Sequence, residues 1–194
     1  MKVPSAILTR VTRFAILFTP IAPQGGSMAN QTDVNQYAVS NPGVLATHSN
    51  WHMLGRTFPL GVPGSGDEFL QFHRSLLNPF RTWLANNGHS SLTSWIASLT
   101  QIPNNPGLRA TYTNDRQVLT GTRSQLQATF ATRDALGVFI EGRIHGIVHS
   151  AFASVSNGGN GIDPRFADPM RAPESIRFWR WHAWIDRVWT RSGL

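Results

Sequence analysis

Residues 140–149 read Ile-Glu-Gly-Arg-Ile-His-Gly-Ile-Val-His, and this stretch decides the fold prediction. Its two histidines, His145 and His149, are four residues apart and alternate with apolar residues at helical spacing. Side chains four apart share one face of a helix, so both imidazoles point toward one place. A second His-x-x-x-His pair, His48 and His52, lies nearer the start of the chain. The pattern predicts two helices that each present a pair of imidazoles.

Helical patterns dominate the rest of the chain, and strand-like alternation is scarce. Four main helices are predicted, over about residues 44–54, 65–84, 136–155 and 173–189. Ser65 followed by Glu68 predicts a capping box, and Pro79 predicts a kink or a restart of the second helix. A minor helix is expected over residues 92–99 and a loop over 103–107. The predicted class is all-α, an antiparallel four-helix bundle core with long loops.

Composition limits both the domain organisation and the partners. The 194 residues predict one domain over residues 31–194, preceded by a leader at 1–30 that is either disordered or signal-like. The leader places Arg10 and Arg13 before an apolar stretch too short to span a membrane, so we expect no membrane partner. The net charge of +7 comes from scattered arginines, so no nucleic-acid partner is expected either. A cytoplasmic location is favoured, with export as the alternative.

Six of the seven histidines fall on the four predicted helices. His73 and His182 sit among apolar neighbours, whereas His89 lies in a polar turn and is expected to be a solvent residue. Chance predicts roughly a quarter of one His-x-x-x-His pair in such a chain, and six buried imidazoles without partners would be costly. A packed, hydrogen-bonded ring is the alternative for any single histidine. Because cysteine is absent, imidazole-only ligation favours copper or zinc.

Three segments together resemble the type 3, or dinuclear, copper proteins, which include tyrosinases, catechol oxidases and hemocyanins. Residues 68–74, Glu-Phe-Leu-Gln-Phe-His-Arg, are similar to the Phe-Leu-x-x-His-Arg signature of the first copper site. Residues 140–149 resemble the start of the second site, and residues 178–189 resemble its closing helix. The resemblance covers about residues 46–189 and implies a tyrosinase-like di-copper domain.

The resemblance implies two copper ions, Cu A and Cu B. The ligands it implies for Cu A are His48, His52 and His73, and those for Cu B are His145, His149 and His182. The first set departs from tyrosinases, because position 64 is Gly where the middle ligand usually lies. The His48 and His52 pair is instead similar to the arthropod hemocyanin and phenoloxidase arrangement.

Three further residues receive roles from the resemblance. Phe178 matches an aromatic residue over the site that restricts or stacks substrate, with core packing as the alternative. Asp186 is expected to fix the orientation of a ligand histidine, either by accepting its hydrogen bond or by pairing with a buried arginine, with a surface ion pair to Arg187 or Arg180 as the alternative. Glu141 matches a Glu that in some relatives holds a water acting as a base toward phenols, with an ion pair to Arg143 or another arginine as the alternative.

The implied function is a copper-dependent oxidase that uses dioxygen to convert catechols, and by extension monophenols, to o-quinones. Its partners would be a small phenolic substrate and O2. Gly146 lacks the amide side chain that helps to hold the water beside Glu141, so catechol oxidation is expected to be faster than phenol hydroxylation. The alternatives are an o-aminophenol oxidase, a hemocyanin-like oxygen-binding protein without enzymatic activity, and a helical scaffold without metal.

Overall fold

The structure, a computed structural model, describes residues 28–89, 91–95, 105–154 and 162–194. Within these ranges the chain is mostly helical and has no β-strand, which confirms the predicted all-α class. The α-helices are α1 (Gln31–Ser40), α2 (Gly43–Asn50), α3 (Ser65–Asn86), α4 (Pro106–Leu119), α5 (Arg123–Thr129), α6 (Arg133–Phe139), α7 (Gly146–Ala153) and α8 (Ile176–Ser192). Two π-helical turns, Trp51–Gly55 and Ile140–His145, follow α2 and α6. Residues 1–27 of the predicted leader lie outside the described ranges.

The predicted helix positions hold, with changes at their ends. The helix predicted at 136–155 is a continuous run from Arg133 to Ala153, formed by α6, the second π turn and α7. The last helix begins at Ile176, because Ala172–Glu174 forms a 3-10 turn and Ser175 caps α8. α3 continues through Pro79, so no restart occurs there. Residues 92–95 of the predicted minor helix are not helical, and residues 96–99 lie outside the described ranges.

The capping box predicted at Ser65 and Glu68 is wrong. Gly64 precedes the helix with φ 95°, and the Glu68 carboxylate instead accepts backbone N–H groups of Thr57 and Phe58. The first turn of α3 is capped by Asp134 of α6, whose Oδ1 accepts the N–H groups of Gly66 and Asp67 at 2.9 and 3.1 Å. A residue far along the chain therefore completes the N-terminus of α3.

α3 and α6 cross at two glycines. A Cβ atom on Gly66 or on Gly137 would overlap backbone atoms of the other helix. The two main chains are therefore in direct contact at the crossing, which a larger residue at either position would separate. His73 lies about two turns after Gly66, and His145 about two turns after Gly137.

Aromatic side chains fill the interior between α1, α3 and α8. The rings of Phe80 and Trp179 are 4.5 Å apart, and Tyr37 lies 4.9 Å from Phe80. These residues are almost fully buried, as are Phe69 and Phe178 nearer the histidines. The packing fixes α3 against α8 and thereby places His73 beside His182. None of the helices in the described ranges has the length and apolar character needed to span a membrane.

Candidate metal centre

The structure brings the six histidines singled out from the sequence into one cluster. Their positions are His48 on α2, His52 on the first π turn, His73 on α3, His145 at the end of the second π turn, His149 on α7 and His182 on α8. The closest ring pair, His73 and His182, is stacked with centroids 4.2 Å apart. Five of the six are buried, and His52 is half-buried. Such a concentration of imidazoles inside a fold needs partners for its nitrogens.

Two groups of three have ligand nitrogens within 4.8 Å of one another. The first is His48, His52 and His73, the set predicted for one metal. The second is His73, His145 and His182, in which His73 takes the place predicted for His149. The His149 ring lies 4.6 Å from His145 and 5.5 Å from His182. These buried groups could hold a metal ion, and the assignment of His149 to the second set stays a prediction.

Backbone carbonyls fix which nitrogen of four rings carries the proton. Nδ1 of His48, His73, His149 and His182 lies 2.6 to 2.9 Å from a carbonyl oxygen, respectively of Pro169, Phe69, Phe166 and Phe178. A carbonyl only accepts, so Nδ1 is the protonated nitrogen and donates to it. The Nε2 lone pair of each ring is then left to face the cluster. Ligand histidines in metalloproteins are oriented in this way by their second nitrogen.

Two of those lone pairs have no hydrogen-bond partner. Nε2 of His73 and Nε2 of His149 are buried and unpartnered within the described part of the chain. The remaining Nε2 atoms meet in pairs, His48 with His52 at 3.2 Å and His145 with His182 at 3.1 Å. An unsatisfied buried polar group costs about 1 to 3 kcal/mol. Metal ions would satisfy all these nitrogens at once, so the residues present fit metal ligation.

The electrostatic environment keeps the rings neutral. Burial is the largest cause and lowers the pKa of His48 to about 3, and that of His52 and His149 to about 4. Burial also lowers the pKa of His73, His145 and His182 well below the ordinary value. Neutral imidazole is the form that binds a metal. The six rings are therefore available as ligands near pH 7 without first losing protons.

Each His-x-x-x-His pair straddles a junction between an α-helix and a π-helical turn. His48 lies on α2, and His52 lies in the π turn Trp51–Gly55 that follows it. His145 is the last residue of the π turn Ile140–His145, and His149 lies on α7. A π turn inserts one extra residue into the helical path and is frequent at functional sites. The two turns therefore adjust the direction of imidazoles that a regular helix would set differently.

A small cavity adjoins the exposed side of the cluster. Its volume is about 200 Å³, and its lining is His48, His52, His145, Gly146, His149, Ser150, Ala167 and Pro169. We call it the histidine cavity. Phe178 is 1% exposed and is not among the lining residues. The centroid of its ring instead lies 4.2 Å from that of His182 and 4.8 Å from that of His48, so Phe178 packs against the ligand rings. A role in stacking substrate stays a prediction.

Glu141 forms an ion pair with Arg56. Both carboxylate oxygens accept from the guanidinium, at 2.5 and 3.0 Å, and only 7% of the Glu141 side chain is exposed. Burial raises the pKa of Glu141, and the attraction of Arg56 opposes this without cancelling it. Arg143, the first alternative partner from the sequence, pairs with Asp115 instead. Glu141 is not among the residues lining the histidine cavity, and its role as the holder of a catalytic water stays a prediction.

Asp186 links the two helices that carry His73 and His182. Its carboxylate accepts from Arg74 at 2.5 Å and from Arg81 at 2.7 Å, both on α3. The guanidinium of Arg74 also lies over the Trp189 ring, 3.2 Å from its centroid. The sequence suggested Arg187 or Arg180 as partners, but neither makes this pair in the described structure. Because the carbonyl groups of Phe69 and Phe178 hold the rings of His73 and His182, Asp186 acts on the helices and not directly on these histidines.

His89 lies outside the cluster, as predicted, but it is not a free solvent residue. Its Nδ1 is 3.3 Å from the Asp33 carboxylate, and its ring stacks on Trp83. The features that sequence reasoning missed are the carbonyl partners of the rings and the identity of Arg56 as the arginine that pairs with Glu141. The carbonyl partners of His73 and His182 lie one turn earlier on the same helix, whereas the partners of His48, His149 and Glu141 come from other segments, which the local sequence does not signal. No protein-family model, curated protein or solved structure matches this chain.

Proposed function

We propose that this chain is a type 3 copper oxidase that converts catechols to o-quinones with dioxygen. The observation that carries the proposal is the cluster of six neutral imidazoles, four of them with Nε2 freed by a backbone carbonyl. Zinc would also accept such ligands, but two adjoining all-imidazole groups suit a copper pair, and the sequence resemblance favours copper. His48, His52, His73, His145, His149 and His182 would hold the two ions.

A bound copper pair supplies the electron transfer: two catechols each lose two electrons and two protons to become o-quinones, while one dioxygen becomes two waters. The chain itself contributes position and a dry environment. Phe69 and Phe178 pack against the imidazoles on their buried side, which excludes water from that side. The carbonyl of Pro169 holds the Nδ1 proton of His48, so that ring keeps its direction during turnover.

The size of the histidine cavity supports a small aromatic substrate. Its volume of about 200 Å³ lies below the range of about 300 to 1,000 Å³ that is usual for drug-sized ligands. A single six-membered ring fits such a space, and within the described part of the chain Gly146, Ser150 and Ala167 leave its edge open. Open access of this kind supports an enzyme over an oxygen carrier, which must exclude substrate.

Catechols are proposed over monophenols because the base needed for a monophenol is otherwise engaged. A catechol is oxidised by loss of electrons and protons, whereas a monophenol must first be deprotonated and hydroxylated. Glu141 gives both of its oxygens to Arg56, and Gly146 offers no side chain to hold a water beside it. Initial rates on a matched catechol and phenol test this directly, and comparable rates would contradict it.

Copper content and oxygen uptake test the proposal as a whole. The purified chain, supplied with copper, should bind two ions and consume dioxygen when catechol is added, with quinone formation followed by absorbance. An oxygen carrier would show the oxygenated copper spectrum without sustained quinone formation. Uptake of one zinc, or of no metal under copper-replete conditions, would overturn the dinuclear assignment. An o-aminophenol oxidase would use the same site, and relative rates on o-aminophenol and catechol separate the two.

A further inference from the structure

The histidine cavity continues into a second depression along α7. This groove has a volume of about 400 Å³ and is lined by Leu108, Gly146, Ile147, Ser150, Ala151 and Ser154. We call it the side groove. Gly146 and Ser150 line both spaces, so the groove begins where the histidine cavity ends. A molecule held at the imidazoles could therefore extend into the groove without a conformational change.

The lining of the side groove is uncharged among the residues that the structure describes. Four of the six described lining residues lie on α7, Ser154 follows its last residue, and Leu108 comes from α4. Leu108, Ile147 and Ala151 provide apolar surface, while the two serines add only neutral hydroxyl groups. Arg143, three residues before Gly146, pairs with Asp115, and Arg109, next to Leu108, is not among the described lining residues. A charged group in this groove would lose water without gaining a counterion, whereas an apolar group would gain from burial.

Neither the backbone nor the described neighbours require glycine at position 146. Its backbone is ordinary helix, with φ −64° and ψ −35°, and a Cβ atom there would meet nothing within 4 Å. Glycine inside a helix costs about 1 kcal/mol relative to alanine. The position also lies where the two spaces join. Its missing side chain therefore keeps the passage between the histidine cavity and the side groove open.

We propose that the side groove receives the ring substituent of the substrate, and that the preferred substrates are catechols with an uncharged, apolar substituent distal to the hydroxyl groups. This inference rests on the proposed function. With its hydroxyl groups toward the imidazoles, the ring occupies the histidine cavity and the substituent passes Gly146 along α7. Gly146 and Ser150 then determine specificity, because any larger side chain there narrows the passage.

Kinetics of the copper-loaded full chain test the inference with three compounds: catechol, 4-butylcatechol and 3-(3,4-dihydroxyphenyl)propanoate. The butyl compound should have a KM about tenfold below that of catechol, which requires burial of about two methylene groups. The carboxylate compound, of similar length, should show no such gain. Equal KM values for the first two, or a preference for the carboxylate, would overturn the inference.

Two glycine variants locate the effect. Gly146→Val should raise the KM for 4-butylcatechol about tenfold more than it raises the KM for catechol, because its side chain blocks the passage. Gly142→Val is the matched control. Gly142 is also exposed, and a Cβ atom there would also have no described atom within 4 Å, but Gly142 lines neither the histidine cavity nor the side groove. Ser154→Leu, which fills the groove away from the histidines, should reproduce the selective loss. Equal behaviour of the Gly146 and Gly142 variants, or no selective loss in Ser154→Leu, would refute the groove.

Anaerobic binding separates the groove from the oxidase proposal. Equilibrium dialysis of catechol and 4-butylcatechol measures affinity without turnover, on the unmodified chain and on Gly146→Val. Tighter binding of the butyl compound that is lost in Gly146→Val supports the groove even if no catechol is oxidised, in which case the oxidase proposal fails. Turnover of both compounds with equal affinity in both proteins leaves the oxidase proposal standing and removes the groove.

Discussion

Replacing Arg74 with alanine tests how the chain holds its two central ligand helices together. Arg74 Nε lies 2.5 Å from Asp186 Oδ1, and the guanidinium lies 3.2 Å from the ring centroid of Trp189. The first contact is worth about 1.5 to 3 kcal/mol and the second about 0.5 to 1 kcal/mol. Arg81 keeps Asp186 paired, and 32% of the Arg74 side chain is exposed, so the loss is partial. We expect Arg74→Ala to lower the free energy of unfolding by about 2 kcal/mol.

Urea unfolding of the metal-free chain measures this loss, and copper titration of the folded variant measures its effect on the site. The affinity for copper should change little, because adjacent helical side chains diverge by about 100° and Arg74 points away from His73. Arg171→Ala is the control, since 56% of that side chain is exposed in its pair with Glu174, and its loss should leave the urea midpoint nearly unchanged. Selective copper loss in an Arg74→Ala variant of normal stability would refute the reasoning.

Three other perturbations follow from the site. His73→Ala should lower the copper content below two per chain and abolish turnover, because His73 belongs to both ligand groups, whereas His89→Ala should change neither; copper analysis checks both. Below pH 6.5 the metal-free chain should lose stability, because the histidines bind protons in the unfolded state, whereas in the folded state the pKa of His52 and His149 is lowered to about 4. Above pH 6.5 these histidines are neutral in both states, so the effect should vanish. Urea unfolding midpoints at several pH values measure this dependence. Arg56→Met alone should lower the free energy of unfolding by about 3 kcal/mol, because it leaves the Glu141 carboxylate buried without its partner. Combining Arg56→Met with Glu141→Leu should restore most of that stability. Thermal melts of the metal-free single and double variants show whether the two changes are coupled in this way or simply add.

Much of the candidate site was predictable from local spacing. Two His-x-x-x-His pairs, with His73 and His182 on apolar helix faces, were enough to predict that six imidazoles converge. Helical periodicity also placed α3 and α8 to within a few residues. The grouping around His73 was not predictable, because it depends on how α3, α7 and α8 cross, and one sequence does not determine those angles.

The errors have physical causes too. α1, α4 and α5 were not predicted, and positions 106 and 107 of the predicted loop are the first two residues of α4. α1 and α5 were missed although Asn30 with Asp33 and Thr122 with Gln125 form capping boxes, because their apolar faces are short and give a weak periodic pattern. Ser65 and Glu68 have capping-box spacing, but both side chains accept N–H groups of the preceding loop instead, Ser65 that of Gly61 and Glu68 those of Thr57 and Phe58. The π turns have no sequence signature of their own, since they depend on the packing around them.

The contact between Gly66 and Gly137 has a consequence for how such a chain can evolve. The separation of α3 and α6 is fixed there by main-chain atoms, so neighbouring apolar side chains can be exchanged without moving the helices apart. His73 and His145, each about two turns beyond the crossing, keep their spacing through such exchanges. Chains of very different sequence could therefore keep the same metal-binding geometry, provided that they keep small residues at positions 66 and 137 and the histidines themselves.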